Sequence, residues 1–445
     1  MGLETEYGVA VDGDASLADA AAQTVIAAGG HDPHHHQPRR QPSRWLADGS
    51  RLYLDAGSHP ELATGEQTDA ADVVAAARRG DAAAHAAGVV AAGRLGVAGI
   101  RLLSGTVDAH GNVWGSHENY ETPQPPQAWN RDSVLAAYLA TRLVWAGAGG
   151  LTHDHVGRWR YVVSPRGLAV GDDAGPTSSA ARKPLLDLRD ERLAGHGHRL
   201  HVTVADGNAS NEILWLRFAV TDLLLGVCED RSEVRGRLAS ILELGSGQAA
   251  AIARDVADDP SCAKRWRVGG QLRSAVDVQR ILCEHVAEAA PRTGRNVADV
   301  EAVCARWQRL LDGLAGDHDR VADTVDWVAR YRLLRRITDD GSADALGHPK
   351  RRAATILYDA VDGGYGRRLT RSTLPVAAPR APTRATLRGR VVDAICRAGA
   401  TADIGWQGAS ARGMTVRWPD PQVAEDAATD ELCDRLDRPR LPRVA

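Results

Sequence analysis

The sequence predicts an α+β fold: an antiparallel sheet carries the site, helices pack against it, and a small unit follows at the C-terminal end. Three observations predict this. Residues 1–225 alternate short period-two runs with turns and Ala-rich helical stretches such as 70–92. From about 212 to 334 the apolar spacing is mostly helical, in 211–228, 232–244 and 297–314. After Pro375 the run Val376-Ala377-Ala378-Pro379-Arg380-Ala381-Pro382 breaks regular structure. It divides a main domain, residues 1–375, from a C-terminal domain, residues 383–445, with a helix expected over 386–398 and strand-like pieces at 404–406 and 414–418.

Taken in order, the first element is the strand Gly2-Leu3-Glu4-Thr5-Glu6-Tyr7. Residues two apart on a strand point the same way, so Glu4 and Glu6 project side by side. Like charges that close repel. A fold keeps them where water or a cation neutralises them, and hard cations such as Mg²⁺ take carboxylate oxygens. A solvated edge strand is the competing reading.

The next acidic segment runs from Asp48 to Glu61. Alternation sets Arg51, Tyr53 and Asp55 on one face, and the turn Ala56-Gly57-Ser58 presents His59 and Glu61. A third cluster, Gly115-Ser116-His117-Glu118-Asn119-Tyr120, follows an apolar, Gly-punctuated stretch. The fourth, Arg199 to Asn208, puts Arg199, His201 and Thr203 on one strand face. A single histidine is more often a structural hydrogen-bonding residue than a ligand. Four such clusters in the first half of one chain point to one site. The polar, Pro-broken stretch 31–42, with four histidines, reads as a disordered loop, metal binding being its alternative.

Composition sets the outer bounds. The 445 residues carry 54 Lys and Arg against 57 Asp and Glu, a formal net charge of −3, so no basic field argues for nucleic acid. No apolar run reaches the ~18–20 residues of a membrane span, and no signal-peptide layout opens the chain. The six cysteines are scattered without a Cys-x-x-Cys pair and read as reduced thiols. A cytoplasmic protein with no membrane partner is expected.

These segments resemble the Pup ligase and Pup deamidase/depupylase family, relatives of glutamine synthetase that attach or remove the prokaryotic ubiquitin-like protein Pup. The resemblance is carried by MGLETEYGV at 1–9, DGSRLYLDAGSHPELAT at 48–64, GSHENY at 115–120, LRDE at 188–191, RLHVTVADGN at 199–208 and TVDWVARYRLL at 324–334. TRATLRG at 383–389 and IGW at 404–406 are weaker echoes. It implies a glutamine-synthetase-like sheet cradle binding ATP with Mg²⁺ or Mn²⁺. By position, Glu4, Tyr53 and Glu61 match the ligands of one metal, and Glu6, His117 and His201 face the others. Asp55 matches the family's catalytic base, while Arg182, Arg189, Arg199 and Trp406 match nucleotide and phosphate contacts. Implied partners are Pup or another glutamate-bearing substrate, and a protein lysine or small amine.

The chemistry asks for such a set. Coupling a carboxylate to an amine in water is uphill, so ATP first converts the acid to an acyl phosphate, whose charge must be neutralised. Lysine, with an ordinary pKa of about 10.4, must then lose a proton to become nucleophilic.

Within the family, Asp55-Ala56-Gly57-Ser58-His59-Pro60-Glu61 resembles the ligase pattern rather than the hydrolases' Asp-His-Ala-His-Pro-Glu. The opening Gly-Leu-Glu-Thr-Glu and the short interval from Gly8 to Asp48 also resemble ligases. Departures lie in 179–184, in 192–195, at Ser116 and at His348. They leave two alternatives, a deamidase/depupylase and a paralogue joining a small carboxylate to a small amine.

Overall fold

The computed structural model describes the chain apart from residues 30–42, 56, 108–111, 131, 176–182, 192, 194, 196, 231, 294–298, 338–344, 363–381 and 439–445. The His-rich stretch 31–42, residues 376–381 of the Pro-rich break and Arg182 therefore lie outside the described residues.

Eight strands build the central sheet: β1 (Gly2–Glu6), β2 (Ser43–Trp45), β3 (Arg51–Leu54), β4 (Pro60–Ala63), β5 (Ser116–Thr122), β6 (Val170–Gly175), β7 (Lys183–Asp187) and β8 (His198–Val202). Their order is β6-β7-β8-β5-β1-β4-β3-β2, which centres β1 among the segments that carry the acidic and histidine clusters. Pairing is antiparallel from β7 to β2, and β6 runs parallel to β7, so the expected antiparallel sheet is mixed at one edge.

Alternation divides the sheet into two faces. On β5, Ser116, Glu118, Tyr120 and Thr122 are buried while His117, Asn119 and Glu121 are half-buried. Leu3, Leu62, Tyr120, Leu200 and Val202 likewise turn into the apolar core. Four helices supply the other side of that core: α1 (Ala18–Ala28), α2 (Ala70–Leu95), α3 (Ser133–Thr141) and α4 (Asn211–Glu229).

Helix ends follow their caps. Asp69 accepts from the Ala71 N–H to start α2, and Gly96, left-handed at φ 66°, ends it later than the 70–92 expected. Ser210 accepts from the Ile213 N–H to start α4. Two further helices, α5 (Ala275–Ala289) and α6 (Val300–Ala315), pack as a pair; Asp299 caps α6, so it begins after the expected position 297.

The C-terminal segment contains α7 (Arg384–Ala398), a three-stranded sheet of β9 (Ala402–Gly405), β10 (Gly408–Ala411) and β11 (Met414–Arg417), and α8 (Ala427–Asp437). Its core of Leu387, Val391, Ile395, Ile404, Val416 and Trp418 also takes in Trp45 from β2. Glu66, just past β4, accepts from Arg384 Nε and Arg388 Nη2, each at 2.6 Å. Helix α7 lies directly on the turns beside β3 and β4. A Cβ on Gly389 would stand 2.1 Å from the Ala47 carbonyl oxygen, and one on Gly49, at φ 79°, would stand 2.3 Å from that of Ala385. Backbone cannot yield there as a side-chain tip can. Gly389→Ala is therefore expected to cost about 1–3 kcal/mol through overpacking. Urea denaturation measures it, and an unchanged midpoint would refute the contact.

Candidate functional site

Strand register assembles the site on the face of the sheet away from the core. Glu6 lies across from Glu61, which lies across from Tyr53. Glu4 lies across from His117. His201 lies across from Asn119 on one side and Asp187 on the other. Residues separated by up to 197 positions thus share one patch because the strand register turns their side chains to the same face of the sheet.

Two overlapping clusters result. Glu4 Oε2 stands 3.2 Å from His117 Nδ1 and 3.3 Å from His201 Nε2. His117 Nε2 stands 3.8 Å from Glu6 Oε1, and Glu6 Oε2 accepts from the Gly115 N–H at 2.7 Å. The His117 and His201 rings meet edge to face, centroids 5.2 Å apart. Donor atoms of Glu4, His117 and His201 lie within 4.8 Å of one another, as do those of Glu6, Glu61 and His117.

The charges bear the mark of this crowding. Burial, followed by the Glu4 and Glu6 charges, pushes the Glu61 carboxyl well above the usual range. Burial also acts against ionised Glu4, yet His201, His117 and Arg199 outweigh it and hold that carboxyl well below its ordinary value. Burial and the neighbouring Glu61 and Glu4 push the Tyr53 phenol well up. His201 is held down by burial and so is a neutral imidazole near pH 7.

A divalent cation fits these donors on two grounds. His201 Nε2 is buried and has no hydrogen bond among the described residues beyond its 3.3 Å approach to Glu4 Oε2. Burial and the Glu4 and Glu6 charges also disfavour an ionised Glu61, and a cation would relieve that repulsion. A carboxylate-rich set with imidazoles suits Mn²⁺ as well as Mg²⁺.

The remaining expected residues ring this patch. Asp55 follows β3; its N–H donates to the His59 carbonyl at 2.9 Å, and its charge acts on Glu61, Arg166 and Lys183. The turn that places it includes Ser58 at φ 62°. Arg199 Nη1 donates to Asn119 Oδ1 at 3.0 Å and to Glu4 Oε1 at 3.4 Å. Arg189 is committed to Asp187 through Nε at 2.9 Å and Nη2 at 2.6 Å, with its guanidinium half-exposed. Trp406 lies outside the cluster, edge to face with Trp45 at 4.9 Å. The Arg51 guanidinium connects the two places, 5.7 Å over Trp45 and 4.8 Å over Tyr53.

Several residues join the site without a local signal in the sequence. Arg166 is 1% exposed; its Nε donates to the Thr203 carbonyl at 2.9 Å and its Nη2 lies 3.1 Å from His117 Nε2. Guanidinium only donates, so His117 Nε2 accepts from it. Arg166 Nη1 is buried with no partner among the described residues, beside the Glu6, Asp206 and Asp55 charges. The only hint was an arginine inside the apolar run Tyr161-Val162-Val163-Ser164-Pro165-Arg166. Lys183, whose amine burial and Arg166 hold down, faces Glu6 and Asp55. Glu118 turns to the opposite face and is bound by Arg142 and Arg217, all three side chains fully buried.

A sheet with helices behind it and a carboxylate–imidazole cradle on its open face defines the class of glutamine-synthetase-like carboxylate–amine ligases. Within that class the chain belongs to the Pup-ligase family, whose model, described as "Pup-ligase protein", matches residues 1–410. A Pup--protein ligase of Brachybacterium faecium is 31% identical, with 98% of this chain and 96% of that protein covered. One of Bifidobacterium longum (strain DJO10A) is 31% identical over 91% of this chain and 87% of its own length. Among solved structures, the chain is similar to the ligase PafA in its complex with Pup, with TM-score 0.79 and 26% identity over 98% of this chain and 92% of that one. It is also similar to PafA in complex with ADP, with TM-score 0.74 and 25% identity over 89% and 90% of the two chains. No helix among the described residues is long and apolar enough to cross a membrane.

Proposed function

We propose that this protein is an ATP-dependent ligase that activates a glutamate side-chain carboxylate of Pup as an acyl phosphate and joins it to a lysine amine of an acceptor protein. The observation that carries this reading is the pair of clusters, Glu4–His117–His201 and Glu6–Glu61–His117, beside Asp55 in a chain of this family. Mg²⁺ held by those side chains supplies charge neutralisation for the phosphates.

The chain's own residues then divide the work. Arg166, with a free buried N–H, and Lys183 face the Glu6 and Asp55 corner, where an anionic phosphoryl group gains from both. Arg51 and Trp406, both packed on Trp45 at the sheet edge, would take the nucleotide's ring and sugar. Asp55, at the mouth of the turn, accepts the proton of the incoming lysine. The reading places the reaction in the cytoplasm, where ATP is available.

Incubation with Pup, ATP, Mg²⁺ and a lysine-bearing acceptor is expected to give conjugate and ADP. Ammonia release from Pup ending in Gln, without net ATP consumption, would instead identify a deamidase. ADP formed only with a small acid and small amine would identify a paralogue ligase.

Metal binding should also release a proton. Glu61 retains one in the free protein because its pKa is raised, and a cation must displace it. Apparent affinity therefore rises with pH until Glu61 ionises unaided. Calorimetry in buffers of different ionisation heat checks this, and no proton release anywhere between about pH 5 and 8 would contradict it.

A further inference from the structure

Away from the cradle, α5 and α6 bring two cysteines face to face. Cys283 Sγ lies 3.7 Å from the Cys304 carbonyl oxygen, and Cys304 Sγ lies 4.0 Å from that of Cys283. Each thiol overlies the other's backbone. The residues are only 4% and 9% exposed, yet they line an open groove of about 500 Å³ together with Ala287, Val300 and Glu301. The groove gives a small oxidant a path to these two side chains.

The two sulfurs are unequal. The hydrogen bond to Cys304, together with burial, pushes the Cys283 thiol up, whereas accepting that hydrogen bond lowers the Cys304 thiol. Cys304 is also the more exposed of the two, so it is the first to react and Cys283 stands ready to resolve it.

We propose that Cys283 and Cys304 form a reversible disulfide, a modification site for peroxides that enter the groove. The Cys304 thiolate attacks the peroxide O–O bond and takes one oxygen as a sulfenic acid, and the other oxygen leaves as water with a proton. The Cys283 sulfur then attacks the Cys304 sulfur and expels hydroxide, which leaves as a second water with the Cys283 proton. Two thiols and one hydrogen peroxide thus give one disulfide and two waters. The link spans 21 positions and joins α5 to α6 covalently.

The test uses the native full chain, equimolar hydrogen peroxide, alkylation of the remaining thiols under denaturing conditions, and tryptic mapping. The expected product is the peptide 281–292 linked to 296–306, lost on treatment with dithiothreitol. Unlinked peptides with either cysteine alkylated or overoxidised, or a link to Cys228, Cys262, Cys396 or Cys433, would overturn the proposal. The Cys283→Ser protein should accumulate a Cys304 sulfenic acid that dimedone traps. In Cys304→Ser, Cys283 should remain alkylatable after the same dose; oxidation there at the native rate would remove Cys304 from its assigned role.

Discussion

Asp55→Asn is expected to lower the rate of isopeptide formation by about 10²–10⁴-fold, the contribution of a positioned general base, while leaving nucleotide binding near its original affinity. The asymmetry follows from where Asp55 sits. It stands at the end of β3, fixed through its own backbone to His59, and outside the two donor clusters that would hold a cation. Removing its charge therefore deletes a proton acceptor and leaves the cradle's donors in place. The substitution is nearly isosteric and half-exposed, so the fold tolerates it. Rapid-quench measurement of conjugate, beside calorimetric titration with ADP, separates the two effects. An enzyme with unchanged turnover would strip Asp55 of the role, and one that lost both together would make it a structural residue.

Glu118→Ala is expected to destabilise the protein by about 3–5 kcal/mol, because it strands two buried guanidinium groups. Arg142 reaches Glu118 through Nη2 at 2.7 Å and Nη1 at 3.0 Å, Arg217 through Nη2 at 2.8 Å, and the Tyr120 hydroxyl donates at 2.7 Å. All three charged side chains are fully buried. Burial acts against the Glu118 carboxylate, but the two arginines outweigh it and hold its pKa below the ordinary value. A carboxyl lowered in this way stabilises the fold above its unfolded pKa, and that stability is lost as the pH falls through the folded one. The variant should therefore show a lower urea midpoint at neutral pH and a smaller difference from the wild type in acid. Arg217 also holds the Asp206 carbonyl at 2.9 Å and Asn208 Oδ1 at 2.8 Å, so the same change loosens the backbone that supports Arg166. A midpoint within experimental error of wild type would show that the network contributes little.

The face that carries Glu4 and Glu6 was legible because strand periodicity is local. So were Tyr53 with Asp55 and Arg199 with His201, pairs that each need only a period of two. Their convergence was legible only through the resemblance, since register between strands up to two hundred positions apart leaves no trace in any one of them. Register also decides the grouping. The pairing of β1 with β5 brings Glu4 to His117 and His201, its pairing with β4 brings Glu6 to Glu61, and the Glu4 charge also acts on Tyr53 and Glu61, the partners the resemblance gave it. Arg166 and Asp187 arrive from a short helix and a neighbouring strand, by contacts that no spacing encodes. Glu118 was misleading in a useful way. It belongs to the His-Glu-Asn-Tyr motif, yet alternation alone sends it away from His117 and requires buried partners, and α4 supplies one in Arg217.

The central claim is that strands distant in sequence form one cation-binding cradle for a nucleotide next to Asp55. A crystal grown with Mn²⁺ and a non-hydrolysable ATP analogue, with anomalous scattering recorded at the manganese edge, tests it most directly. Peaks are expected within ligand distance of Glu4, His117 and His201, and of Glu6 and Glu61, with the terminal phosphate toward Arg166. Manganese and phosphates bound elsewhere on the chain, with these five side chains making no contact to either, would contradict the account.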